Sequence, residues 1–131
     1  MDKQILKRIV NESIKHVIKE ETENENKIID LISFLHNAQL PVREIHWNTR
    51  NNALHLLTDE VIKNLFEWED TLAESFISSK SITLKINNTK PSSSEDLKSI
   101  LNELIDLDYF YKIGLIDIQV GLESILCAYC S

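Results

Sequence analysis

The chain has 131 residues, 43% of them apolar and 27% charged, with only two Gly and two Pro. That length suits a single hydrophobic core, and so few obligatory turn residues favour long helices over many short strands. A net charge of -7 without a local Lys/Arg cluster repels a phosphate backbone and argues against direct nucleic-acid binding. No apolar run approaches the ~20 residues of a membrane span, and charges run through Met1 to Glu21, where a secretory signal needs an apolar centre. A single domain over 1–131 in the cytoplasm is the expectation.

Residues 3 to 20 place Ile5, Leu6, Ile9, Val10, Ile14, Val17 and Ile18 at helical spacing between Lys, Arg and Glu, which predicts an amphipathic N-terminal helix. Glu21 to Lys27 reads as a polar break. From Ile28 the apolar positions Leu31, Ile32, Leu35, Val42 and Ile45 predict a second helix that ends near Trp47. Pro41 lies inside it and removes one backbone hydrogen bond, so a kink near His36 to Leu40, or a break into two pieces, is expected.

Asn48 to Asn52 suits a short connection, with Asn51 or Asn52 as helix cap, and a third helix is predicted from about Ala53 to Ser79. The stretch 78–94 is rich in Ser, Asn and Lys and is predicted as the longest loop, with Ile82, Leu84 and Ile86 alternating as in a short extended piece. Ser93 or Ser94 before Glu95 and Asp96 signals a helix start, and Leu97, Ile100, Leu101, Leu104, Ile105 and Tyr111 supply its buried stripe. Gly114 is the expected end or bend. A last helical segment carries Leu115, Ile118, Leu122, Ile125, Leu126 and Tyr129, weakened by Gly121. The only cysteines, Cys127 and Cys130, read as two thiols on its final turn in a reducing compartment.

The third helix carries two stripes. Leu54, Leu57, Val61, Leu65, Trp68, Leu72 and Phe76 share one sector, the expected core face. On nearly the opposite side, within a sector of roughly 120°, lie His55, Asp59, Ile62, Phe66, Asp70 and Glu74. A charged surface stripe is ordinarily a solvated face, but Ile62 and Phe66 sit in the middle of this one and predict that another helix covers it. The pairs 55/74 and 59/70 share one midpoint, between Asn64 and Leu65. Asp59 and Asp70 are too far apart for one ion, roughly 16 Å along the axis. A second copy packed antiparallel across a two-fold axis at that midpoint would bring His55 and Asp59 of one chain opposite Glu74 and Asp70 of the other. Each of two such clusters offers imidazole and carboxylates, a donor set suited to iron, manganese or zinc. His46 falls on the inward side near the end of the second helix, close to His55 across the connection, whereas His16 and His36 are expected to be surface or packing residues.

These residues resemble the miniferritins, the Dps-type members of the ferritin superfamily. The resemblance rests on His46-Trp47-Asn48-Thr49-Arg50, then His55 and Asp59, then Asp70-Thr71-Leu72-Ala73-Glu74, and extends over about forty residues around them. It implies an all-α fold, a ferritin-like four-helix bundle here carrying an additional N-terminal helix. It also implies a ferroxidase site of His46, His55 and Asp59 from one subunit with Asp70 and Glu74 from its two-fold mate. By the same resemblance Fe(II) is oxidised to Fe(III) by hydrogen peroxide or oxygen, Trp47 lies near the iron, and the assembly is a homo-oligomer, a dimer at least and often a dodecameric shell that stores iron and protects against peroxide. The chain departs from that pattern in a His46 to His55 interval three residues shorter than usual and in Asn51 where a glycine is usual. The short interval resembles ferritin-like proteins of phages and viruses, which implies a host cytoplasm as the setting. No lysine-rich tail of the DNA-binding members is present, and the chain from Ser78 onward resembles the family only in being helical. The alternative expectation is a non-catalytic helical dimerisation protein that keeps the fold without efficient oxidation.

Overall fold

A computed structural model describes the backbone of residues 3–111, 120–121 and 123–127, and the side-chain surroundings of 25–108, 120–121 and 123–127. The described residues are all-α. Helix α1 spans Lys3–Asn48, α2 Asn52–Lys80 and α3 Leu97–Tyr111, and residues 123–127 are again helical.

The two helices expected at the N-terminus are one. The segment from Glu21 to Lys27 is polar but holds no Gly or Pro, and Glu and Lys are good helix formers, so nothing in it stops a helix. At ~1.5 Å per residue, the 46 residues of α1 extend about 69 Å. Pro41 lies inside α1 without breaking it. The proline leaves the Asn37 carbonyl without its helical donor, one missing bond in a helix held by packing on both sides of that point. The side chains of the Ile5 to Ile18 stripe, of His16 and of Tyr111 are not among those described. Gly114, Leu115, Ile118, Leu122, Tyr129 and Cys130 lie outside the described residues.

A three-residue connection, 49–51, turns the chain back so that α2 packs antiparallel on α1. Asn51 caps α2, its side-chain oxygen accepting from the Leu54 N–H at 3.3 Å. Ties between the helices run in reverse order along the pair. His46 meets His55, His36 donates to Glu69 at 2.6 Å, and Lys80 lies 3.8 Å from Glu25. At its far end α2 stops at Ser81, whose left-handed backbone (φ 54°) lets its N–H bond the Ile77 carbonyl at 2.9 Å.

The loop between Lys80 and Leu97 contains no strand. It is held against α1 by side chains. Asn37 donates to the carbonyls of Asn87 and Thr89 at 3.0 and 2.8 Å, and the Asn87 N–H donates to the Ser33 hydroxyl at 2.8 Å. These bonds satisfy a loop backbone that has no sheet partner. Leu84 packs against the core while Ile82 and Ile86 face outward. The start of α3 is set by Asp96 rather than by Ser93 or Ser94, with Asp96 oxygens accepting from the Lys98 N–H and the Ser99 hydroxyl.

The core draws on four helical stretches: Leu31, Leu35 and Val42 of α1, Val61 and Leu65 of α2, Ile100, Leu101 and Leu104 of α3, and Ile125 of the last one. Gly121 explains how that last stretch approaches α2. A Cβ there would lie 2.5 Å from Trp68 Cζ2, so the missing side chain makes room for the indole. Asp108 continues the buried stripe of α3 one turn beyond Leu104. It is only 6% exposed, its Oδ1 has no hydrogen-bond partner among the described residues, and burial raises its carboxyl above the ordinary range. Among the described residues no helix is long and apolar enough to cross a membrane.

Candidate metal centre

The two expected faces of α2 are both present. Val61, Leu65, Leu72 and Phe76 are buried, with Leu54, Leu57 and Trp68 half-buried beside them. On the other side His55, Asp59, Asp70 and Glu74 are exposed, Ile62 is half-buried, and Phe66 presents 57% of its surface to solvent. Leu56 and Ile77 extend the exposed apolar surface at the two ends of this face. A single chain leaves the stripe uncovered, and an exposed phenylalanine between two sets of acids calls for a covering surface.

The connection 49–51 brings His46 and His55 together. Their rings stack with centroids 3.9 Å apart and planes inclined by 19°. The contact is reciprocal: His46 Nδ1 lies 2.9 Å from the His55 carbonyl, and His55 Nδ1 lies 3.0 Å from the His46 carbonyl. A carbonyl oxygen only accepts, so each Nδ1 carries the proton and donates. The lone pair of each neutral ring is then on Nε2, and no hydrogen bond to either Nε2 occurs among the described residues. Thr58 completes the arrangement. Buried beneath the pair, its hydroxyl bonds the Leu54 and His55 carbonyls at 2.9 and 3.0 Å, and its oxygen lies 3.0 Å from His46 Nδ1. Imidazoles that ligate metals are commonly oriented in this way, with the other ring N–H given to a carbonyl.

The stack also limits what the two rings can do. A ligated ion lies in the plane of its imidazole at about 2.1 Å from the nitrogen. Planes inclined by 19° at a 3.9 Å separation meet far beyond that distance, so the two rings as they stand serve two ions, or one ring turns before both can serve one. Asp59 stands one turn from His55 on the same face, while Asp70 and Glu74 lie at the other end of the stripe. Among the described residues no three His, Cys, Asp or Glu side chains come together closely enough to hold a metal ion. The chain therefore brings His46 and His55 together and leaves Asp59, Asp70 and Glu74 apart from them.

Two residues outside the expected ligand set, Thr58 and Glu69, partner the histidines. Thr58 falls in the core sector of α2, eighteen residues and five full turns before Phe76, and that position among apolar residues was the signal for a buried hydroxyl. Glu69 binds His36 through Oε1 and Gln39 through Oε2, both at 2.6 Å, so His36 is the exposed residue expected and is also paired with an acid of α2. Asp108 was legible as an acid at helical spacing after Leu101 and Leu104. A groove of about 370 Å³ between the end of α1 and the start of α3, lined by Glu44, Ile45, Asn48, Thr49, Ser94 and Glu95, contains none of the five expected ligands. Cys127 is exposed and free.

No family model, curated protein or solved structure matches this chain.

Proposed function

We propose that this chain is a ferritin-like, Dps-type protein that binds and oxidises Fe(II) at sites shared between two copies related by a two-fold axis. The observation that carries the reading is the reciprocal clasp of His46 and His55, which fixes both imidazoles with Nε2 unengaged at one end of an exposed stripe. Carboxylates wait at the stripe's other end.

In the antiparallel dimer His46, His55 and Asp59 of one subunit face Asp70 and Glu74 of the second copy, giving two equivalent centres with Ile62 and Phe66 sealing the space between them. Fe(II) is the substrate. Each ion gives up one electron, and hydrogen peroxide takes two electrons and two protons to become two waters; oxygen is the alternative acceptor. The chain's part is to hold the imidazole nitrogens in place and to supply anionic oxygens that favour the higher charge of Fe(III). Clustered carboxylates repel one another when no cation is present, which makes the site selective for a bound cation of high charge. Manganese and zinc suit the same donors.

A second reading has its own support. The exposed Phe66, with no intrachain cluster of three ligands among the described residues, also fits a helical dimerisation protein in which any metal only stabilises the pair. Aerobic addition of Fe(II), with and without peroxide, separates the two. The ferroxidase reading expects ferric product to form faster than in buffer, and expects Asp59→Ala with Glu74→Ala to abolish the difference. Equal rates for wild type, variant and buffer would leave only the dimerisation reading.

A further inference from the structure

Resting on the dimer just proposed, we infer that α1 forms the second half of the same interface, with Leu40 at the two-fold axis and Trp47 of each chain against His36 of the other. The register between the two helices fixes the level of the axis on α1. The α2 stripe places the axis between Asn64 and Leu65, about four and a half residues before Glu69. His36 is tied to Glu69, and α1 runs antiparallel to α2. The same level on α1 therefore lies about four and a half residues after His36, between Leu40 and Pro41. The His46 to His55 and Gln39 to Glu69 ties bracket this point on either side by about one turn.

The exposed side chains agree with that placement. Leu40 and Trp47 are 59% and 66% exposed, although leucine and tryptophan are the residues a helix surface buries first. With His36 they occupy positions four and seven residues apart, one face of α1, on the flank that adjoins the α2 stripe. Reversing the chain about the axis sets Leu40 against its own copy. It also carries Trp47 to within about two residues of His36 of the second copy, where an indole face and an imidazole can stack.

Charge supports a second copy as the occupant. The same reversal puts Lys63 of one chain beside Glu67 of the other, twice, and both side chains are exposed on a flank of the α2 stripe. The interface is thus two helices from each chain, with apolar groups on the axis and opposite charges at its edge.

The test is a Leu40→Cys full-length chain in which Cys127 and Cys130 are Ser, treated with a mild oxidant, with Lys98→Cys in the same background as a control on an exposed part of α3. Leu40 is mostly exposed, so the substitution leaves the fold intact. A disulfide needs Cα atoms within about 7 Å, which positions at the axis reach and distant ones do not. The inference expects a covalent dimer as the dominant product for Cys at 40 alone, and expects Trp47→Ala to weaken self-association by about tenfold or more. A dimer by sedimentation whose metal binding depends on Asp59 and Glu74, but in which Cys at 40 does not cross-link, overturns the α1 placement and leaves the metal site standing. A chain that stays monomeric at every concentration overturns both.

Discussion

Phe66→Ala separates the stability of the subunit from that of its pairing. Phe66 exposes 57% of its surface in the single chain. A phenylalanine presents about 200 Å², so its exposed part comes to roughly 115 Å², and at ~25 cal/mol/Å² covering it contributes about 3 kcal/mol per chain. Two copies meet in a dimer, and alanine still covers part of the area, so the truncation is expected to cost pairing about 3–5 kcal/mol, a rise in dimer dissociation constant of a hundredfold to a few thousandfold. The folded subunit loses far less, within about 1 kcal/mol, because the removed atoms mostly faced water. Sedimentation equilibrium over a dilution series gives the first quantity and urea unfolding of the monomer the second. An unchanged dissociation constant, or a monomer that loses stability while pairing does not, would place Phe66 outside any interface. Phe66→Asp, which places a charge at the axis, goes further in the same direction.

Gly121→Ala puts a methyl group 2.5 Å from the Trp68 ring, so it is expected to destabilise the subunit by about 1–3 kcal/mol and shift tryptophan emission, read by thermal melts with fluorescence. Asp108→Asn is expected to stabilise at neutral pH. The native fold holds the Asp108 proton more tightly than the unfolded chain, so wild type loses stability as pH rises from the ordinary value of 3.8 through the raised one, and the advantage of Asn should vanish below that window in denaturant titrations. Thr58→Val removes the hydroxyl beside His46 Nδ1 and is expected to lower Zn(II) affinity about tenfold or more in calorimetry, with the dimer unchanged. An affinity equal to wild type would make Thr58 a packing residue only.

What the sequence made legible follows from which forces are local. The core and exposed stripes of α2, its Asn51 cap and the buried face of α3 follow from 3.6-residue periodicity and capping chemistry, and the structure has them. The polar run from Glu21 to Lys27 predicts a break and α1 has none, because only Gly, Pro or a competing cap ends a helix reliably. The loop after α2 alternates like a strand at Ile82, Leu84 and Ile86. Its partners are side chains of α1, fifty and more residues earlier, so pairing within a sheet never arises. At the site, the closeness of His46 and His55 could be read from the short connection. The ring stack and the two Nδ1 bonds could not, since they depend on the angle at which α2 leaves 49–51. Gly121 costs its helix intrinsic stability but makes room for the Trp68 ring, a contact that only the packed structure reveals.

The most direct measurement mixes an Asp59→Ala chain with an Asp70→Ala chain and follows Fe(II) oxidation by verified mixed dimers. Each variant alone breaks both of its centres. In the mixed dimer one centre receives both substitutions and the other receives none. Inter-subunit sites therefore predict about half the wild-type oxidation per dimer, from two chains that are each inactive with themselves. Mixed dimers no more active than either parent would contradict the account.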